Sequence, residues 1–545
     1  MIRHAAVPRP IRRGALTLPA LLFLLAPITV ASRSAPSAAP AAPAAPVAPL
    51  PAPPPAPSAL ARSEQVDRRL LEKEGIRQEI NRQVAVRGRA VAIAGNISEL
   101  SVQGGPGDEL RLQGVMEFWS NDAELMATVK REFDVELAES DDRIEIRVDL
   151  PKNPRLGKRK KLNVHYTVDL TLEVPASTTL SVGNKYGGVR IRGVQGALRV
   201  DNTSGGIDVE GGRNGAVLEG RYGDIRVHDI QGELRASTTS GAIDVRDVRG
   251  PATIINRYGD VTVSEVKGDL TVDLTSGRAE VSAIAGAARV SNSYGDVKLS
   301  SVSGAVHVST SSGGITVSRL SADAEIISSY GDVHAADVKG NLSVESQSGE
   351  IRVTDVGGEL RVNGSYGDVR VERVGASATI ATSNGAVTVR DVVGSLEVRC
   401  SYGTVRAFEI GGDLTVKAAS TAVEADGVGG EVHVETSYGG VGLSDVHAAV
   451  TVLNQSGAVT VRSLSGDALT AIHRVETSYA DIRFGWPQGS GVEFQLESTH
   501  GRVRSHLPGT LRQEGSRRIL SGSQGSAEGR LTLISKSGSV RLVSD

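Results

Sequence analysis

The sequence predicts an all-β protein built mainly as a parallel β-solenoid of eighteen-residue coils, and three observations predict it. First, Tyr186, Tyr222, Tyr258, Tyr294, Tyr330, Tyr366, Tyr402 and Tyr438 stand thirty-six residues apart, each followed by glycine. Halfway between them lie Ser204, Ser240, Ser276, Ser312, Ser348, Asn384, Ser420 and Ser456, with no insertion anywhere in the count. A period that strict is the signature of stacked units of equal length. Second, the apolar residues inside each unit alternate as strands do. After Gly367 they fall at Val369, Val371 and Val374, then again at Ala378 and Ile380. Side chains two apart share one face of a strand, and these β-branched residues favour strand over helix. Third, glycines recur at the unit boundaries, where positive φ or close backbone packing is required. No part of the unit carries the 3.6-residue apolar period of a helical repeat.

The expected organisation follows the chain in order. Residues 1–31 read as an export signal. Arg3, Arg12 and Arg13 precede an apolar run containing Leu21, Leu22, Phe23, Leu24 and Leu25, and Thr29-Val30-Ala31 ends it as a cleavage site. The run is short and holds Pro19 and Pro27, which favours cleavage over a membrane anchor. No cysteine follows it, so it lacks a lipoprotein signal, and no other segment is apolar enough to span a bilayer. Residues 32–60 are a Pro/Ala-rich linker with Pro53, Pro54 and Pro55 near its end, a composition that favours extended polyproline II. Residues 61–83, rich in Glu, Arg and Gln with Val66, Leu70 and Leu71 on one side, are expected to form a short amphipathic helix.

Residues 84–180 lack the eighteen-residue rule but keep strand signals at Val91/Ile93, Leu110/Leu112, Ile144/Ile146 and Val164 to Val174, with a short helix over Asp122 to Arg131. This segment is the expected N-terminal β cap. Residues 181–478 carry about sixteen regular coils, which at roughly 4.8 Å per rung make a rod about 75–80 Å long. Residues 479–545 form irregular C-terminal coils and a cap. Tyr479 comes five residues late relative to the count, and Phe484, Trp486 and Phe494 gather there as Phe118, Trp119 and Phe133 do in the first cap. Solenoids need such caps because a bare terminal coil exposes strand edges and apolar core.

Outward positions are mixed in charge. Arg190, Asp208, Arg226 and Asp244 fill one slot in four successive coils, so neighbours one rung apart alternate in sign. The formal net charge is -3. No basic stripe for nucleic acid is present.

The run Tyr166-Thr167-Val168-Asp169-Leu170-Thr171-Leu172-Glu173-Val174-Pro175, then Leu180-Ser181-Val182 and the glycine-punctuated coils, resembles the bacterial "putative adhesin" domain family. Gly107-Asp108-Glu109-Leu110 and the closing Lys536-Ser537-Gly538-Ser539-Val540 add to the resemblance, which spans roughly residues 84–545. It implies a β-solenoid of exported or envelope proteins and supplies no catalytic motif. This chain departs from the pattern in its number of coils and in its strict Tyr/Ser alternation.

The eight tyrosines, Tyr186 to Tyr438, are the candidate binding surface. Rings pointing outward would line one edge at two-rung spacing and could stack on sugar rings. The competing arrangement, which the alternation of large and small residues favours, packs each ring over the small residue of the next coil. Asp224, Asp260, Asp296, Asp332 and Asp368 follow the Tyr-Gly pairs and could be taken for a calcium ladder. Carboxylates two rungs apart cannot share one ion at ~2.3–2.6 Å ligand distances, so turn-stabilising aspartates are expected instead. Cys400, the only cysteine, is expected to be an isolated buried thiol. Lys158-Arg159-Lys160-Lys161 is expected to be a solvated hairpin loop, with contact to anionic envelope polymers as the alternative. The ten histidines show no pair at metal-ligand spacing, and no nucleophile elbow or phosphate loop is present.

These features point to an exported, non-enzymatic adhesin or cell-envelope scaffold without cofactor or metal. It would sit in the periplasm, at the cell surface or outside the cell, with an envelope or extracellular polysaccharide or a surface protein as partner. The rival reading is a polysaccharide-active β-helix lyase or hydrolase. Such an enzyme needs paired carboxylates in a cleft, and coils of equal length leave no loops to wall one.

Overall fold

Each regular coil contributes two strands, and residue i pairs in parallel with residue i+18. Val261, for example, lies between Ile243 and Ala279, and Leu270 between Ala252 and Ala288. The computed structural model describes residues 75–132, 134–149, 164–526 and 528–545. The expected export signal, the Pro/Ala-rich linker, the first part of the 61–83 segment and the Lys158–Lys161 run lie outside these described residues. Sixteen coils of eighteen residues run from Leu180 to Leu464, as the period predicts. In each the longer strand buries its first and third side chains (Leu270, Val272), and the shorter strand its first, third and sixth (Val261, Val263, Val266).

The change of spacing from two to three in the shorter strand has a backbone cause. The residue before the sixth position adopts a left-handed conformation in coil after coil: Asp247 (φ 51), Glu265 (φ 60), Ala283 (φ 56), Ser301 (φ 56), Arg319 (φ 55). This bulge-like residue bends the strand and returns the next side chain to the interior. A left-handed residue with a Cβ costs about 1–2 kcal/mol, and Gly193, Gly211 and Gly427 remove that cost in three coils.

A second row of positive φ is reserved for glycine. Gly259 (φ 130) and Gly277 (φ 132) follow the Tyr/Ser slot, and a Cβ on Gly277 would lie 2.7 Å from the carbonyl carbon of Gly259. Only glycine allows both the turn and that approach of successive coils.

The caps are wound into the solenoid. At the N-terminal end, β1 (Ile76–Ala85) pairs antiparallel with β4 (Glu109–Ser120), which pairs antiparallel with β7 (Val164–Pro175). β2 (Ala90–Gly95) and β3 (Glu99–Gly105) make one coil. On one side it meets β6 (Arg143–Val148) and β7, on the other β8 (Leu180–Asn184) and β9 (Gly188–Arg192). An early coil is thus inserted between two that follow it. The opposite end mirrors this. The last coil, Gly529–Ser535 with Val540–Ser544, lies between the coil of Ile472–Thr477 with Ile482–Trp486 and the coil of Val492–Ser498 with Val503–Ser505. Both ends therefore close with a coil that sequence order would not place there, and with antiparallel strands beyond it.

The helix expected over Asp122 to Arg131 forms as α1 (Ala123–Glu132), capped by the Asp122 carboxylate, which accepts the N–H groups of Glu124 and Leu125. The helix expected over 61–83 does not extend through its C-terminal part: Ile76–Ala85 is strand β1. Ile76, Ile80 and Val84 stand four apart, a spacing that fits one face of a strand as well as one face of a helix. Ten residues of register with β4 decide between them. The five-residue delay before Tyr479 is taken up around a 3-10 turn at Gly466–Leu469.

Candidate functional site

The tyrosines point outward. All eight of the ladder are between 57 % and 62 % exposed, and this corrects the expectation that the rings pack over the neighbouring small residues. The register is the one foreseen, with Tyr294 between Ser276 and Ser312 and Tyr330 between Ser312 and Ser348. The inside of the corner is already occupied by the residue two places earlier. Asn202, Asn256, Asn292 and Asn454 fill that place, with Thr238, Thr310 and Ser328 in other coils, all buried. The Asn292 side chain donates to the carbonyls of Gly277 and Gly295, both at 2.9 Å. Asn256 does the same for Gly241 at 2.9 Å and Gly259 at 3.0 Å. Each amide therefore joins two successive glycine turns from within, and the ring two residues on is left in solvent. Sequence reasoning missed this inner row, whose signal is the run of Asn, Thr and Ser two residues before the ladder.

The result is a strip of phenol rings about 9.4–9.8 Å apart, two rungs, with a notch at every intervening Ser or Asn. On one side of it run the aspartates, whose carboxylates act between coils rather than within their own turn. The backbone N–H of Ala242 donates to Asp224 at 3.0 Å, that of Arg278 to Asp260 at 2.8 Å, and that of Glu350 to Asp332 at 2.8 Å. Each carboxylate ties its coil to the next. Among the described residues no cluster of three or more His, Cys, Asp or Glu could hold a metal ion.

Cys400 is buried at 3 % exposure and occupies the inner Asn/Thr row, its thiol 3.5 Å from the carbonyl of Tyr402. Burial pushes the thiol's pKa up, against the opposing hydrogen bonds of Thr421 and Tyr402. Protonated and covered, it is a filler rather than a nucleophile. The alternating charge slot is realised in part: Arg190 lies 3.6 Å from Asp208, whereas Arg226 and Arg246 turn to Asp224 and Asp244.

A groove of about 870 Å³ runs along the face of the longer strands, with Asp269, His307, Asp323, Glu325 and Glu359 among its lining residues. Three of its carboxylates have partners. Asp269 accepts the N–H of Ala287 at 2.9 Å, Asp323 that of Asn341 at 2.8 Å, and Glu325 sits 2.8 Å from His307. No helix among the described residues is long and apolar enough to cross a membrane.

The chain is similar to two solved structures. One is a "putative cell adhesion protein" from Clostridium sporogenes, 7% identical, covering 86% of this chain and 100% of that one at a TM-score of 0.13. The other is a "putative adhesin" from Bacteroides fragilis, 14% identical, covering 53% of this chain and 96% of that one at a TM-score of 0.17. No curated protein matches. The family model Toastrack DUF4097 matches residues 125–337 and 328–411, together more than half of the sequence. By that match the chain belongs to the Toastrack DUF4097 family.

Proposed function

We propose that the protein is an exported, non-enzymatic adhesin or cell-envelope scaffold that uses its tyrosine ladder as the contact surface. The single observation that carries this reading is the exposure of eight equivalent rings, each 57–62 % open to solvent and at a constant spacing. Tyrosine offers a large, rigid, amphipathic contact area at low cost in conformational entropy. Eight such rings spend apolar surface on solvent, which folding alone does not reward. The resemblance of Tyr166–Pro175, Leu180–Val182 and the glycine-punctuated coils to the bacterial adhesin-type domain family supports the adhesive side of the reading. The sequence of residues 1–31 supports export. The equal length of the coils, which leaves no loops to wall a cleft, supports a role without catalysis.

The test is a polysaccharide and glycan array probed with the intact chain and with a variant carrying Tyr294→Ser, Tyr330→Ser and Tyr366→Ser. Serine already fills this slot in alternate coils, so the variant keeps the fold. Binding by the intact chain that the variant loses supports the reading, and binding that the variant retains removes the ladder from it. Turnover of a polysaccharide, abolished by one carboxylate substitution, would overturn the non-enzymatic assignment.

A further inference from the structure

The ladder has a period, and a period selects among linear partners. Successive rings stand two rungs apart, about 9.4–9.8 Å. A polyproline II helix repeats every three residues at ~3.1 Å per residue, about 9.3 Å. A polypeptide with proline at every third position would therefore present one proline per ladder step. Across three steps the two repeats drift apart by no more than about 1.5 Å. A proline seated in the notch between two rings would lie about 4.8 Å from each, at ordinary ring-stacking separation. Aromatic rows are a recurring means of recognising polyproline II.

The chain carries such a sequence. Pro40, Pro43, Pro46 and Pro49 stand three residues apart, and residues 34–60 contain no Asp, Glu, Lys or Arg. The ladder is not uniform toward an uncharged partner. Lys185, Arg221 and Arg257 precede its first three tyrosines, whereas a serine precedes each of the last five, from Ser293 before Tyr294 to Ser437 before Tyr438. The last five rings thus have no basic side chain before them that a tract without Asp or Glu would leave unpaired, and the carboxylates of Asp296 and Asp368 beside them accept the backbone N–H groups of Gly314 and Ala386. The serine hydroxyls of this part of the strip can donate to the backbone carbonyls that polyproline II leaves unpaired.

Resting on the reading of the ladder as the contact surface, we infer that the strip from Tyr294 to Tyr438 docks the Ala/Pro tract around Pro40–Pro49 of a second copy of this chain, in polyproline II form. The outcome is self-association of the envelope scaffold, copy to copy.

The experiment uses the full mature chain. Sedimentation velocity across a concentration series is expected to show association that Tyr330→Ser with Tyr366→Ser weakens at least about tenfold, these being central contacts. A synthetic peptide of residues 36–57 in excess is expected to dissociate the assembly. A peptide of the same composition, shuffled to break the three-residue proline spacing, is expected to leave it intact. A chain that stays monomeric at every concentration overturns the inference, as does association unchanged by the tyrosine substitutions or displaced equally by both peptides. Glycan binding that the tyrosine variants lose, in a chain that stays monomeric, overturns this inference and leaves the adhesin reading standing. Neither glycan binding nor association removes both.

Discussion

Replacing Gly331 by alanine tests whether the coils are spaced by the glycine row beside the ladder. Gly331 follows Tyr330, holds φ at +139°, and a Cβ there would lie 2.6 Å from the Gly313 carbonyl carbon and closer still to its oxygen. Two costs add. A side chain in this backbone region costs about 1–2 kcal/mol. The overlap is with backbone rather than with a flexible side-chain end, so coils must part, which overpacking studies place at about 1–3 kcal/mol. The sum is a loss of about 2–5 kcal/mol. Gly442 is the internal control. It lies within the strand Val441–Val446, has no positive φ, and a Cβ there would meet nothing within 4 Å. Gly442→Ala is expected to stabilise by about 0.5–1 kcal/mol, through the lost freedom of the unfolded chain.

The same chemical change thus has opposite signs at two sites of one solenoid. Because solenoid stability is approximately a sum over neighbouring coils, the measurement must be local as well as global. Native-state hydrogen exchange over residues 313–349 and 425–461, alongside denaturant unfolding, gives both. A Gly331→Ala protein within about 0.5 kcal/mol of wild type would refute the close-approach reading, since normal surface changes fall in that range.

Two further outcomes follow from the interior. Asn292→Ala removes the two amide hydrogen bonds that join Gly277 and Gly295 and is expected to cost about 1–3 kcal/mol. In the next coil Thr310 holds a buried hydroxyl with no partner, and Thr310→Asn would gain two amide donations while leaving its Oδ1 without a partner, as that of Asn292 is, so it is expected to shift stability by less than about 1 kcal/mol; the denaturant midpoint should fall for Asn292→Ala and stay close to wild type for Thr310→Asn. His473, fully buried in the C-terminal cap against Phe484 and Trp486, is held below its ordinary pKa by burial. The unfolded chain takes up that proton near pH ~6.5 and the folded chain only at lower pH. Its contribution is therefore complete above about pH 6.5 and declines as pH falls, by up to about 1.4 kcal/mol per pH unit. Stability measured from pH 7.5 to 5 should show this slope in the wild type and lose it in His473→Phe.

Much of the solenoid was legible because one coil cannot change length without breaking every ladder it shares. The eighteen-residue register, the inward valines and the glycine turns all follow from that constraint. Three features were not legible, each for a physical reason. The left-handed corner at Glu265 or Arg319 leaves little trace, because the stack enforces it on residues that disfavour it. The inserted cap coils depend on which strand edges remain open after the coils between them have formed, and a linear pattern does not record edges. The strand at Ile76–Ala85 shares its apolar spacing with a helix, and only its partner β4 resolves the ambiguity.

The orientation of the ladder is the most instructive failure, because the residues that decide it were in view. Alternation of large and small side chains is a packing rule for an interior, and it was applied to a slot that is not interior. Counting inward positions along the longer strand, Leu270, Val272 and then Leu274 in one coil, or Ala288, Val290 and Asn292 in another, fills the core one slot before the corner. The residue at Ser276 or Tyr294 comes two places later, at the last position of the strand, where the side chain no longer faces the core. A small residue there needs no explanation. A tyrosine does, since about 60 % of its surface gains nothing from folding. The alternation therefore marks spacing between exposed rings: one coil presents the ring, and the next clears the space beside it. That spacing is what the proposed contact with a partner of matching repeat requires.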